Sequence, residues 1–224
     1  MNISFIFAQF GTKQTVEPSY SSILKYFKDA NFVVYTDDSN ASFPKGVNVK
    51  LVNPIFEINH RYGNRCNDLF KAIGLLDSED EYAIALDNDM RIVSNEVKTI
   101  LPITKRFGLC LPCNPRHLVR VDNSIGADSD NVFDETNGNT YAVNMSPISL
   151  YTSDVDSRDI LSNYVEEIKT TPIRGPTAMW RAIWKSKSNP YLLPPQWCVC
   201  QEHCGIGGEI MLHVGHEKVR KYYK

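Results

Sequence analysis

Hydrophobic positions along this chain fall into short unbroken runs, separated by stretches in which apolar residues recur with a helical period. Ile3 to Ala8 and Phe32 to Tyr35 are apolar without alternation, which predicts strands covered on both faces, as in a parallel sheet layered between helices. Between them Glu17-Pro18 opens an amphipathic helix over Ser19 to Ala30, with Tyr20, Ile23, Leu24 and Phe27 at i, i+3, i+4 and i+7. Val47 to Val52 alternates, as a third strand. Arg61 to Leu76 follows as a second helix, with Leu69, Ile73 and Leu76 turned inward. Tyr82 to Leu86 is again uniformly apolar and too short for a helix, so it reads as another doubly covered strand. A β-α-β-β opening whose buried strands end in polar residues is the pattern of a ligand-binding α/β layer.

The second half of the chain is predicted more coarsely. A helix is expected over Asn95 to Pro102 and strands over Gly108 to Leu111 and Tyr141 to Tyr151, the latter with Asn144 in its middle. Asp156 or Ser157 caps a helix running to Lys169. Gly175-Pro176-Thr177 opens another over Ala178 to Lys185, whose Trp180 and Trp184, one turn apart, are expected in the core, with aromatic platforms for sugar rings as the alternative. Tyr191 to Cys200 is a Pro-broken extended stretch, and Glu209 to Leu212 is a last short strand. Asp122 to Thr140 is a long polar run rich in Gly, Asn and Asp. Such a run is a lid, a binding loop or a disordered segment.

Composition narrows the function classes. The 224 residues carry 24 Lys and Arg against 26 Asp and Glu, so there is no basic footprint for nucleic acid. No apolar stretch approaches the length of a membrane span, and the N-terminal apolar run lacks a basic leader, so a cytoplasmic protein is expected. Cys66, Cys110, Cys113, Cys198, Cys200 and Cys204 are then free thiols by default. Cys110-x-x-Cys113 with Cys198, Cys200, His203 and Cys204 could instead form a zinc site, although the first pair lies in a strand-like apolar run.

The strongest chemical signal is Asp87-Asn88-Asp89, which stops the Tyr82 to Leu86 strand abruptly. In an extended chain both carboxylates would point the same way, about 7 Å apart, at the strand end where open α/β sheets bind ligands. Two carboxylates there suit Mn²⁺ or Mg²⁺, with phosphate oxygens completing the shell. Asp68 and Lys71 share a helix face upstream. They read either as a surface salt bridge of little worth or as a charge held near a diphosphate. At the far end, His213, His216 and Lys218 gather after the last strand, bringing a metal-binding imidazole and a phosphate-binding ammonium together.

Taken together these residues resemble the GT-A fold glycosyltransferases. Asp87-Asn88-Asp89 resembles the family's Asp-x-Asp signature. Asn67-Asp68-Leu69-Phe70-Lys71 with Leu75 resembles the helix preceding it in the group containing the Och1-type mannosyltransferases, with Lys71 where Arg is usual. Ile173-Arg174-Gly175-Pro176 is similar to that group's Thr-Gly-Pro element, with Arg for Thr. His213-x-Gly215-x-x-Lys218 resembles the C-terminal His-x-x-Gly-x-x-Lys of glycogenin-like enzymes, one residue short.

The resemblance implies a Rossmann-like, mostly parallel sheet flanked by helices, with a small acceptor-side subregion. It implies a single domain with residues 1–115 as the nucleotide-sugar-binding half and 116–224 as the acceptor-side half with a C-terminal metal and phosphate segment, either complete or the N-terminal domain of a longer chain. The implied activity is metal-dependent transfer of a sugar from a nucleoside diphosphate, UDP before GDP, to a glycan or glycoprotein hydroxyl. Asp87 and Asp89 would be catalytic and would hold Mn²⁺ or Mg²⁺ with His213. Gln9, Phe10, Tyr35, Asp37, Arg65, Lys71 and Lys218 would contact the nucleotide, and Asp68, Asn88 and Asn144 the sugar. An inverting reaction would also need a carboxylate base, and Asp154, Asp156, Glu202 and Glu209 are all available. Two other classes remain open. A sugar-nucleotide nucleotidyltransferase would want a Gly-rich basic loop after the first strand, for which Gly11 and Lys13 are thin support. A non-catalytic nucleotide-sugar or carbohydrate-binding domain would release no nucleotide.

Overall fold

The computed structural model describes residues 2–11, 15–53, 55–56, 62–117, 141–171, 175–186 and 188–224, with the side chains of 62–64, 115–117 and 141–142 left aside. The predicted polar loop over 122–140, and residues 173 and 174 of the Gly-Pro element, lie outside the described residues.

One eight-stranded sheet runs through the described chain. Its parallel half is β3 (Val47–Leu51), β2 (Asn31–Thr36), β1 (Ile3–Gln9) and β4 (Tyr82–Ala85), in that spatial order. Beyond β4 the direction reverses: β8 (Ile148–Tyr151) pairs antiparallel with β4 and with β6 (Leu109–His117). β6 also takes β7 (Tyr141–Val143) antiparallel and β9 (Tyr191–Leu193) parallel. A separate two-stranded ribbon joins β5 (Met90–Ile92) to β10 (Met211–His213).

The sheet is covered on both faces, and its central strands β1 and β4 are apolar at every position but Ser4 and Gln9. On one face Ile6, Ala8, Ala83, Ala85 and Leu150 pack with α2 (Tyr62–Leu76), α4 (Val155–Thr170) and α5 (Gly175–Ser186), through Leu69, Leu75, Ile160, Tyr164 and Met179. On the other face Phe5, Phe7, Tyr82 and Ile84 pack with α1 (Glu17–Leu24) and α3 (Ile100–Phe107), through Ile23, Ile100 and Leu101. The α/β expectation holds. The polarity that an alternating pattern would give is missing from β1 and β4 for this reason. The last helix, α6, spans Glu217–Tyr222.

Several local predictions need correction. α1 ends at Leu24, and Phe27 reaches the core from a following turn whose backbone N–H bonds the carbonyl of Ile23. The 3₁₀ turn Asn95–Thr99 leads into α3, which runs on to Phe107, where Gly108 at φ 75° ends it. The cap of α4 is Asp154, which accepts from the Ser157 N–H. The predicted strand over 141–151 is two strands, with Asn144 in the connection between them. The Trp pair is not core: Trp180 and Trp184 stack at 5.3 Å with Trp184 57% exposed. The largest revision concerns α2. Asp68 and Lys71 are buried, Lys71 to 2% exposure, so the surface salt-bridge reading fails. Cys66, Leu69, Ala72 and Leu75 form the buried stripe with them.

Candidate active site

The site grows from the carboxyl end of β4. Leu86 still pairs its N–H with the Ile6 carbonyl, and then the chain turns, with the Met90 N–H bonding the Asp87 carbonyl. Residues 87–89 are thus a tight turn and not the extended segment the sequence suggested. Three neighbours hold the turn. The Ser146 hydroxyl accepts from the Asp87 N–H at 2.9 Å. The hydroxyl of Ser19, buried on α1, lies 2.7 Å from the Asn88 carbonyl and 2.6 Å from that of Met90. The Asp89 carbonyl accepts from the Val214 N–H at 2.9 Å.

That last bond belongs to the β5–β10 ribbon, whose register places His213 opposite Met90. The imidazole Nε2 of His213 comes 3.1 Å from Asp89 Oδ1 and 3.9 Å from Asp87 Oδ2. One ligand atom from each of Asp87, Asp89 and His213 falls within 4.8 Å of the others. Gly215 closes the floor. A Cβ built there would lie 2.8 Å from Asp89 Cγ and nearer still to Asp89 Oδ2, so only glycine leaves the carboxylate its place.

Electrostatics bind these groups together. Burial alone would lower the His213 pKa, but hydrogen bonds to Asp89 and Cys200 and the charges of Asp89 and Asp87 carry it well above its ordinary value. Burial alone would raise Asp89, and His213 more than reverses that, leaving it below the ordinary carboxylate value. Lys71 approaches from the opposite side, 2.5 Å from Asp87 Oδ1, 3.2 Å from the Met145 carbonyl and 3.9 Å from Asp68 Oδ1. Asp87 therefore turns one oxygen to the ammonium and the other toward the imidazole. Asp68 in turn accepts from the Gly175 N–H at the start of α5, at 3.1 Å.

The other predicted site residues divide. Asn88 and Gln9 are near the strand ends with buried side-chain oxygens that have no hydrogen-bond partner among the described residues. Asp37 follows β2, half-buried. Asn144 donates to the Cys113 carbonyl and accepts from Asn114, both at 3.2 Å. Phe10 and Tyr35 are buried, each stacked on Phe70, and the Tyr35 hydroxyl engages Asp77 and Lys50. Arg65 donates to the Ile168 and Thr171 carbonyls at the end of α4. Lys218 is exposed on α6. Asp154 and Asp156 follow β8, which runs antiparallel to β4, so they sit at the sheet edge opposite the acidic turn. Glu209 accepts from the Tyr223 hydroxyl at 2.7 Å. Among the described residues Cys110, Cys113, His203 and Cys204 join no group of ligand atoms with Cys198 and Cys200, so the six-residue zinc grouping does not assemble. Ser19, Ser146 and the ribbon partner Met90 escaped sequence reasoning. A serine in a helix and a three-residue strand carry no distinctive pattern.

A parallel β3-β2-β1-β4 half with an antiparallel extension beyond β4 is a GT-A-like arrangement. Among solved structures the chain superposes on the galactosyltransferase LgtC in complex with donor and acceptor sugar analogues, with TM-score 0.60 and 11% identity over 100% of this chain and 94% of that one. It also superposes on the bifunctional glycosyltransferase WbbM (0.58, 9%, 97% of this chain) and on the apo form of the glycosyltransferase GlyE of Streptococcus pneumoniae TIGR4 (0.57, 10%, 96%). It spans only 46% and 54% of those two chains. No protein-family model matches the sequence, and neither does any curated protein sequence. Among the described residues no helix is long and apolar enough to cross a membrane.

Proposed function

We propose that this protein is a metal-dependent glycosyltransferase that moves a sugar from a nucleoside diphosphate, UDP in preference to GDP, to a hydroxyl of a glycan or glycoprotein. The observation that carries this reading is the convergence of Asp87, Asp89 and His213 at the end of the central strand of a GT-A fold. Two carboxylates and one imidazole fit a hard-to-borderline cation such as Mn²⁺ or Mg²⁺, and the glycine at 215 keeps the Asp89 carboxylate where a ligand is needed. When bound, such an ion supplies positive charge to the diphosphate as the nucleotide departs.

The chain's own residues do the rest. Lys71 holds one oxygen of Asp87 and fixes the direction of the other. Asp89 orients the His213 ring, and Lys218 adds charge for the phosphates. The buried, unpartnered oxygens of Gln9 and Asn88 are ready acceptors for donor hydroxyls or a base N–H. Asn144 and Asp68 line the adjoining sugar side. Residues 1–115 supply the nucleotide-sugar half, and 116–224 the acceptor-side half together with the segment carrying His213 and Lys218 that serves the metal and phosphates.

Incubation with a panel of nucleotide sugars, with and without Mn²⁺, tests the proposal. The expected result is a metal-dependent rise in melting temperature with a UDP-sugar, followed by release of nucleoside diphosphate. Release of pyrophosphate from a nucleoside triphosphate and a sugar phosphate would point to a nucleotidyltransferase instead. Asp89→Ala should abolish the metal-dependent shift and leave the fold intact.

A further inference from the structure

The second group of metal-binding side chains lies directly behind the first. Val199 forms a parallel bridge to Leu212, with the Val199 N–H on the Met211 carbonyl at 2.9 Å and the His213 N–H on the Val199 carbonyl at 3.1 Å. Val199 packs into a small apolar cluster with Leu212 and Val219. Its two neighbours, Cys198 and Cys200, therefore share the opposite side. Their sulfurs are 3.8 Å apart, and Cys200 Sγ is 3.8 Å from His213 Nδ1. A zinc ion at about 2.3 Å from each thiolate and about 2.0 Å from an imidazole nitrogen separates tetrahedral sulfurs by about 3.8 Å, and sulfur from nitrogen by about 3.5 Å. The two sulfurs already sit at that spacing, and Sγ and Nδ1 come within a few tenths of an ångström of it.

A second observation points the same way. His203 is 7% exposed, and neither ring nitrogen has a hydrogen-bond partner among the described residues. A buried imidazole with both nitrogens unpartnered is costly. Its backbone N–H bonds the Cys200 carbonyl at 3.0 Å and its ring interacts with the Cys200 sulfur.

We propose that Cys198, Cys200 and His213 Nδ1, with the His203 ring against the Cys200 sulfur, form a thiolate site for a zinc-like cation, back to back with the carboxylate site. Binding releases to solvent the protons held by the two thiols and the Nδ1 proton of the His213 imidazolium. Thiolates select Zn²⁺, Cd²⁺ or Co²⁺ over Mg²⁺ and Mn²⁺, so the two sites differ in preference. They share one imidazole. A neutral ring has a single lone pair, so zinc on Nδ1 leaves the proton on Nε2, pointing at Asp89. The two ions thus oppose one another, a consequence that rests on the carboxylate site proposed above.

Titration of the protein with Co²⁺ in the absence of nucleotide tests the site itself. One equivalent should bind with thiolate-to-cobalt charge-transfer absorption, and Cys200→Ser should weaken binding by more than about 100-fold. His203→Ala should weaken it at least about 10-fold. Asp87→Asn, in the carboxylate pair, should leave the band in place. No charge-transfer band, or a band that survives replacement of both Cys198 and Cys200 by Ser, overturns the proposal. Saturating Mn²⁺ should raise the Co²⁺ dissociation constant at least about tenfold, roughly 1.4 kcal/mol. An unchanged constant with the band present overturns the shared imidazole.

Discussion

Gly215→Ala is the most discriminating substitution at the carboxylate site. The new Cβ would stand 2.8 Å from Asp89 Cγ, whereas two carbons settle at about 3.5–4.0 Å. The carboxylate carbon must therefore retreat by about 1 Å. Gly215 shows no left-handed backbone, so the backbone itself accepts alanine and the whole cost falls on Asp89. That side chain is short and partly solvated, so it rotates away and the fold survives. Its bond to His213 is lost, a hydrogen bond between charged groups worth about 1.5–3 kcal/mol. A ligand displaced by about 1 Å is far beyond the ~0.2 Å tolerance of a metal–oxygen contact. The expected outcome is a melting temperature lowered by a few degrees, with Mn²⁺ affinity down by at least about 100-fold. Isothermal calorimetry on the purified variant measures the second quantity and thermal denaturation the first. Metal affinity equal to wild type in a folded Gly215→Ala protein would refute the role given to Asp89.

Other predictions follow from the same geometry. Lys71→Met leaves Asp68 without its buried cation and should cost about 3–5 kcal/mol in chemical denaturation, toward the lower end because Asp87 is about a third exposed; Asp68→Asn in the same chain should restore part of it. In the metal-free protein the folded His213 pKa lies above its ordinary 6.5. Its stabilisation is therefore complete below pH 6.5 and fades as pH climbs through the folded value. The Asp89 share is present above 3.8 and fades as pH falls through its depressed folded value. The melting-temperature gap between wild type and His213→Gln should narrow on going from about pH 6 to alkaline pH, and a gap independent of pH would contradict the pairing. Burial pushes the Cys110 thiol up to about 11, so native alkylation at about pH 8 should spare it while labelling half-exposed Cys204. Mass spectrometry showing equal labelling would place Cys110 outside the core.

The parts of the fold that were legible share one property: their environment is uniform. β1, β2 and β4 are covered on both faces, so every residue reports burial and the runs stand out. α2 was located with Leu69, Ile73 and Leu76 on its core side, but the burial of Asp68 and Lys71 was not legible. Asp68 and Lys71 interrupt its apolar stripe, and charged residues weigh toward solvent unless their partners are known. Those partners, Asp87 and the Met145 carbonyl, come from distant segments that no local pattern reveals. The acidic pair was found for a partly mistaken reason, since residues 87–89 turn and the carboxylates converge through that turn and its serine and backbone clamps. The β5–β10 ribbon was half visible. Glu209 to Leu212 was expected as a strand, but its three-residue partner is too short to show a period. The Trp pair misled because aromatic residues at helical spacing are usually buried, whereas α5 turns Trp184 outward.

The ribbon of three residue pairs joining Met211–His213 to Met90–Ile92 sets when the acidic turn becomes complete. During synthesis the large sheet can assemble from strands that emerge earlier, while the turn waits for its imidazole until nearly the whole described chain has been made. The ribbon and its bridge to Val199 form a small unit that can open locally at lower free energy than global unfolding. Any cation gripped by Asp89 and His213 would then act as a rivet, and its loss would register first as amide exchange in Met211–His213 and the paired Met90–Ile92.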